Sequence, residues 1–133
     1  MKELTTVLLI DDDLTTNFLN KFFVAQLDSN LKVETANNGK EAIDFIEANK
    51  DNQIFPMMVI LDTNMPECNG WQFLEFFNKF DEVVKSQTKI VMITPYDSPE
   101  SRGKALQDPN VKDTAQKPLS DIKFRALINK HFF

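Results

Sequence analysis

A chain of 133 residues with 42% hydrophobic and 26% charged residues is long enough for one domain and has the balance of a soluble globular protein. Its net charge of −5 argues against a broad nucleic-acid surface, and the basic residues that gather late, Lys123, Arg125 and Lys130, suit a solvated helix face. The single cysteine, Cys68, excludes an intrachain disulfide; no apolar run nears the roughly 20 residues of a membrane span or forms a signal peptide, so the cytoplasm is expected.

Thr5 to Ile10 is β-branched and apolar and predicts a buried strand, which runs straight into Asp11, Asp12 and Asp13. From Leu14 the apolar residues fall at helical spacing: Leu14, Phe18, Leu19, Phe22, Phe23 and Leu27. They predict a helix whose start Asp13 could cap. A short alternating strand, Leu31 to Thr35, leads through the turn Asn37-Asn38-Gly39 to a second helix lined by Ala42, Ile43, Phe45 and Ile46. Met57 to Leu61 is a third strand ending in Asp62, and Met65-Pro66 and Asn69-Gly70 close the loop after it. A third helix is expected after Gly70, with one apolar stripe from Phe73 through Phe77 and Phe80 to Val84. Lys89 to Thr94 is a fourth strand stopped by Pro95; Ser98 to Gln107 is a short helix with Pro99 in its first turn. A more polar fifth strand, Val111 to Gln116, ends at Lys117-Pro118, and a last helix spans Ser120 to His131.

Strand and helix thus alternate five times. That order predicts an α/β fold, a doubly wound five-stranded parallel sheet with right-handed crossovers, and residues 1–133 as one domain with no linker or second domain.

In a parallel sheet the C-terminal strand ends share one edge, where ligands bind. That edge would collect Asp11 and Asp12 from the first strand, Asp62 from the third, Thr94 from the fourth and Lys117 from the fifth. Crowded carboxylates repel, so a divalent cation held through oxygen, Mg2+, is the natural partner. A hydroxyl and an ammonium donate to phosphoryl oxygens. The set predicts phosphoryl transfer with a carboxylate as acceptor. Each residue has a plainer explanation alone: Asp11 and Asp12 as helix caps, Asp62 as a turn former, Thr94 as a strand-end residue, Lys117 as a surface lysine. Together those explanations would need a shared sheet edge by coincidence.

Ile10-Asp11-Asp12, the loop Asp62-x-x-Met65-Pro66-x-x-x-Gly70, Ile93-Thr94 and Lys117-Pro118 stand in the order and spacing of a known family. The sequence resembles the receiver domain of two-component response regulators, the CheY-like (βα)5 flavodoxin-like fold, over essentially its whole length. The resemblance implies that Asp62 is the phosphoacceptor, taking its phosphoryl group from the histidine of a sensor kinase or a phosphotransfer protein. Asp12 would ligate Mg2+ directly and Asp11 through a water, with Asp62 and the backbone carbonyl of Asn64 completing the protein ligands. Thr94 would hydrogen-bond the attached phosphoryl group, and Lys117 would pair with Asp62 before transfer and with phosphoryl oxygens after it. The chain would be a signalling domain rather than an enzyme, catalysing only its own phosphorylation and dephosphorylation. Output would pass to an unknown downstream protein through residues 95 to 131, with no nucleic acid and no membrane involved. A cis Lys117-Pro118 bond is also common in the family.

Three positions depart from the pattern. Thr114, three before Lys117, stands where receivers usually carry an aromatic ring that turns inward on phosphorylation. Pro95 follows Thr94 where a small residue is common, and removes a backbone donor. Tyr96 stands where side chains control access of water to the phosphoryl group, and is expected to slow its hydrolysis. A competing resemblance, Asp11-x-Asp13-x-Thr15, is to the first motif of haloacid-dehalogenase-type phosphatases, with Asp11 as nucleophile and Asp13 as general acid. It leaves Asp62 without a role and has only Asp121 for the later metal motif. The remaining alternative is a receiver-like interaction module without chemistry.

Overall fold

The computed structural model describes residues 4–28, 30–63, 65, 68–94 and 99–132. Five strands form one parallel sheet in the order β2-β1-β3-β4-β5. They are β1 (Thr6–Ile10), β2 (Lys32–Ala36), β3 (Met57–Asp62), β4 (Thr88–Thr94) and β5 (Val111–Gln116). The helices are α1 (Leu14–Leu27), α2 (Gly39–Asn49), α3 (Gly70–Phe77), α4 (Glu82–Ser86), α5 (Pro99–Leu106) and α6 (Asp121–Phe132). Among the described residues no helix is long and apolar enough to cross a membrane.

The central strands read as unbroken apolar runs because helices cover both sheet faces. Alternation divides each strand between two cores. Leu8, Ile10, Val59, Leu61, Ile90 and Met92 face one way, against Ile46, Phe73 and Phe77. Val7, Leu9, Met58, Ile60, Val91 and Ile93 face the other, against Val24, Phe124 and Ile128. The chain leaves β1 toward β2 on one side and returns to β3 on the other. The sheet therefore has its switch point between β1 and β3, where the loops diverge and a ligand can enter.

One expectation fails. The apolar stripe after Gly70 is not one helix: α3 stops at Phe77 and the short α4 follows. Asn78 ends α3, its side-chain amide donating to Leu74 O and to Asp108 Oδ2. The Phe80 ring then folds back on Phe77, centroids 5.8 Å apart, and Asp81 is extended. Asparagine binding a carbonyl of its own helix competes with further propagation.

On α1 the apolar spacing faces largely outward: Leu14 and Phe18 are 70% exposed and Phe22 54%. The buried residues are Asn17, Asn20 and Val24. Helical spacing located the helix, and polar side chains fill part of its inner face, because a polar side chain can be buried where backbone carbonyls receive it.

Candidate functional site: an acidic pocket at the switch point

Asp11 stands immediately past β1 and Asp62 ends β3, and both are buried, at 6% and 3% exposure. The register aligns Ile10 with Leu61, so the two carboxyl-bearing residues leave adjacent strands at nearly the same height. Asp12 is exposed beside them, and oxygens of Asp11, Asp12 and Asp62 all lie within 4.8 Å of one another. The ammonium of Lys117 bridges two of these groups, 3.0 Å from Asp11 Oδ2 and 3.2 Å from Asp62 Oδ2. Burial alone would lower the Lys117 pKa; the hydrogen bonds and charges of Asp11 and Asp62 outweigh it and raise the pKa above its ordinary value.

Thr94, the last residue of β4, is buried at 7% exposure, one position beyond the partner of Asp62 in the ladder. Its carbonyl accepts from the Lys117 backbone N–H at 2.9 Å, which fixes the start of the loop carrying the ammonium. The Lys117-Pro118 bond is cis, as the resemblance implied. The structure thus brings Asp11, Asp12, Asp62 and Lys117 together, with Thr94 on the same edge. Asn64, Pro95 and Tyr96 lie outside the described residues.

Three carboxylates face one ammonium, and all three offer hard oxygen ligands. That donor set suits a divalent cation such as Mg2+, and its excess negative charge gives the cation a reason to bind. Sulfur and imidazole, which would favour softer metals, do not contribute to this cluster.

Asp13 belongs to the helix rather than to the pocket. Its carboxylate caps α1, accepting from Thr15 N at 2.9 Å and Thr16 N at 3.3 Å. The Thr16 backbone and hydroxyl hold its pKa below the ordinary carboxylate value. A carboxylate already engaged by two backbone donors of its own helix is committed to capping, which counts against the phosphatase role for Asp13.

Sequence reasoning missed two features. Asn17 is buried and binds the carbonyls of Asp11 and Ala36, at 2.8 and 3.3 Å. An amide among apolar residues gave no signal until the strand ends above it were placed. The second is the tight packing at two glycines, of which the sequence showed only the turns. A Cβ on Gly39 would lie 2.6 Å from Cys68 Sγ, and one on Gly70 would lie 2.7 Å from Asp62 O. Cys68 is thus a packing partner of α2, and burial raises its pKa away from thiolate chemistry.

The sequence family described as "Response regulator receiver domain" matches residues 7–129. A two-component response regulator of Arabidopsis thaliana, ARR22, is 28% identical over 99% of this chain and 86% of its own length. A probable C4-dicarboxylate response regulator of Bacillus subtilis, DctR, is 30% identical over 94% of this chain, which spans about half, 51%, of that protein. Among solved structures, a two-component response regulator from Cytophaga hutchinsonii superposes with a TM-score of 0.86 at 26% identity, covering 97% of each chain. Chemotaxis protein CheY4 of Vibrio cholerae shares the fold with a TM-score of 0.78 at 22% identity, over 96% of this chain and 98% of that one. With a matching family spanning nearly every described element and an acidic pocket at the sheet's switch point, the chain belongs to the response regulator receiver domains of two-component signalling.

Proposed function

We propose that Asp62 is the phosphoacceptor of a phosphorelay and that residues 1–133 act as one receiver domain. The donor is a phosphohistidine on a sensor kinase or a phosphotransfer protein. An Asp62 carboxylate oxygen attacks phosphorus, the P–N bond to the donor imidazole, protonated on its other ring nitrogen, breaks with its electron pair going to the ring nitrogen that carried the phosphoryl group, and an aspartyl phosphate and a neutral histidine result. The observation that carries this reading is the Lys117 ammonium bridging Asp11 and Asp62 within 3.2 Å, with Asp12 beside them.

Each residue then has a task. Asp11, Asp12 and Asp62, with the carbonyl of Asn64, would hold Mg2+, which would supply charge neutralisation and orientation of phosphoryl oxygens. Lys117 lies close enough to Asp62 to move from its carboxylate to the incoming phosphoryl group. Thr94 donates its hydroxyl to that group after transfer. The protein catalyses only its own phosphorylation and dephosphorylation, and passes the signal to a partner through the surface of residues 95 to 131.

The donor's seat is α1. Leu14, Phe18 and Phe22 form an exposed stripe that begins directly after Asp11 to Asp13, and Lys21 is the only charge on the helix. An exposed apolar stripe adjoining a reaction pocket fits a helical partner that must bring its reactive side chain to the rim.

Incubation with Mg2+ and acetyl phosphate tests the reading. Acid-labile phosphate is expected on the wild type and not on Asp62→Asn. Labelling that survives Asp62→Asn, or that depends on Asp11 with turnover of phosphate esters, overturns it.

A further inference from the structure

Every polar group of Asp11 is engaged. Its N–H donates to Ala36 O at 3.1 Å. Its Oδ1 accepts from Asp13 N at 2.9 Å, and its Oδ2 meets Lys117 Nζ at 3.0 Å. The fourth anchor comes from the buried face of α1: Asn17 Nδ2 donates to Asp11 O at 2.8 Å, and also to Ala36 O at 3.3 Å.

The orientation of the Asn17 amide follows from these neighbours. Two carbonyl oxygens face one end of it, so that end must be the nitrogen; a flipped amide would set oxygen against both. The consequence is that Asn17 Oδ1 is buried with no hydrogen-bond partner among the described residues. Asn17 is 4% exposed and lines a cavity of about 110 Å3 together with Asp11, Asp62 and Lys117. A buried amide left half satisfied is costly, but an apolar side chain in its place would take away the donor to the carbonyl of Asp11. The retained feature is the strap across the ends of β1 and β2.

We propose that Asn17 is a positioning residue for the acidic pocket. By holding the backbone of Asp11 against Ala36, it sets where the Asp11 carboxylate stands for Lys117 and for Mg2+. It touches neither the ion nor the phosphoryl group and acts through Asp11. This inference rests on the Mg2+-dependent phosphoacceptor reading above.

The experiment measures initial labelling by acetyl phosphate against Mg2+ concentration for wild type, Asn17→Ala and Asn17→Ser, with direct Mg2+ binding by calorimetry. In Asn17→Ala, half-saturation is expected at about tenfold higher Mg2+, in the range found when a group orienting a metal ligand is removed. The plateau rate should stay within about twofold of wild type, since the acceptor and Lys117 are intact. Asn17→Ser, which keeps a shorter donor, should fall between. A half-saturation unchanged in both variants overturns the inference, as does a plateau that falls without any shift in half-saturation. A wild type that neither labels nor binds Mg2+ removes instead the functional reading beneath it. One measurement does not depend on the variants folding: in 15N-labelled wild type, the Asn17 side-chain amide protons should exchange slowly with solvent and shift on Mg2+ addition. Fast exchange with no Mg2+ response overturns the proposal.

Discussion

The ammonium of Lys117 lies 3.0 Å from the carboxylate of Asp11, closer than the 3.2 Å that separates it from Asp62. It is the counter-charge for two buried acids at once. In Lys117→Met both lose it, and the loss is expected to be about 1–2 kcal/mol of stability, the scale of charge-assisted hydrogen bonds in a partly solvated site. Added Mg2+ should recover part of the loss by supplying positive charge to the same carboxylates. The pH dependence has a defined sign. The folded-state pKa is raised above 10.5, so the contribution is complete below 10.5 and disappears as pH rises through the higher folded value. Thermal unfolding midpoints of wild type and Lys117→Met should therefore differ by a constant amount around neutral pH and, on the alkaline side, converge only in strong alkali.

Gly70 is required by a close approach rather than by an unusual backbone angle. A Cβ there would meet Asp62 O at 2.7 Å, Thr63 Cα at 3.0 Å and Met92 Cε at 3.2 Å. Two of these are backbone atoms and cannot swing away, so Gly70→Ala must displace the acceptor strand end or α3. A cost of about 1–3 kcal/mol and slower labelling of Asp62 are expected. Gly103 in α5 is the internal control, because nothing lies within 4 Å of its Cβ position. Gly103→Ala should gain about 0.5–1 kcal/mol from helix propensity and leave labelling unchanged. Denaturant midpoints and a labelling time course separate the two.

These residues also mark how far the sequence could be read. The strands of the sheet's centre were legible because burial on both faces forces an unbroken apolar run, as in Met57 to Leu61. The edge that gathers Asp11, Asp12, Asp62 and Lys117 was legible because parallel strands must end together. The helix faces were less so. Apolar spacing cannot tell a core-facing stripe from a partner-facing one, and on α1 it pointed outward while Asn17 and Asn20 faced in. The break between α3 and α4 depends on a bond from Asn78 to Asp108, thirty residues away, and no local pattern encodes it.

A substitution on the exposed stripe of α1 tests donor recognition apart from chemistry. Phe18 is 70% exposed, so Phe18→Asp should change stability by no more than about 0.5 kcal/mol. If the stripe seats the donor, transfer from a phosphohistidine protein should fall by about tenfold or more, the effect of removing a central aromatic anchor. Labelling by acetyl phosphate, which needs no docking, should be unaffected. Equal loss with both donors would place the defect in the pocket and remove α1 as the docking face.

Asp113 ties β5 to the end of α6. Its Oδ2 takes Lys130 Nζ at 2.9 Å and His131 Nε2 at 3.0 Å, and Lys89 Nζ bonds the His131 carbonyl from β4. Burial would raise the Asp113 pKa; the bonds from His131, Lys130 and the Thr114 backbone outweigh it and bring the pKa below 3.8. A depressed carboxyl contributes stability above 3.8 that is lost as pH falls through the lower folded value. Asp113→Asn should thus lower the unfolding midpoint at neutral pH, and the gap from wild type should close only as acid takes the solution below 3.8.

Thr114 lies half-buried on β5, paired in register with Met92. It lines a groove of about 410 Å3 with Thr94, Arg102, Gln116 and Lys123. The groove opens at the sheet edge, so a larger side chain at this position has somewhere to go without entering the packed core. Thr114→Tyr should therefore fold with a stability within about 1 kcal/mol of wild type, unlike the cost of enlarging a residue inside the core. The same substitution restores the ring that the sequence lacks next to Thr94. If Thr94 is drawn toward an attached phosphoryl group, the new ring should become less accessible to solvent once Asp62 is labelled, and tyrosine fluorescence quenching by acrylamide reads that change in a Tyr96→Phe, Trp71→Phe background, where the new ring is the sole emitter. Quenching that is identical in labelled and unlabelled protein would mean that Thr94 does not communicate with this groove, and that the signal leaves the pocket by another face.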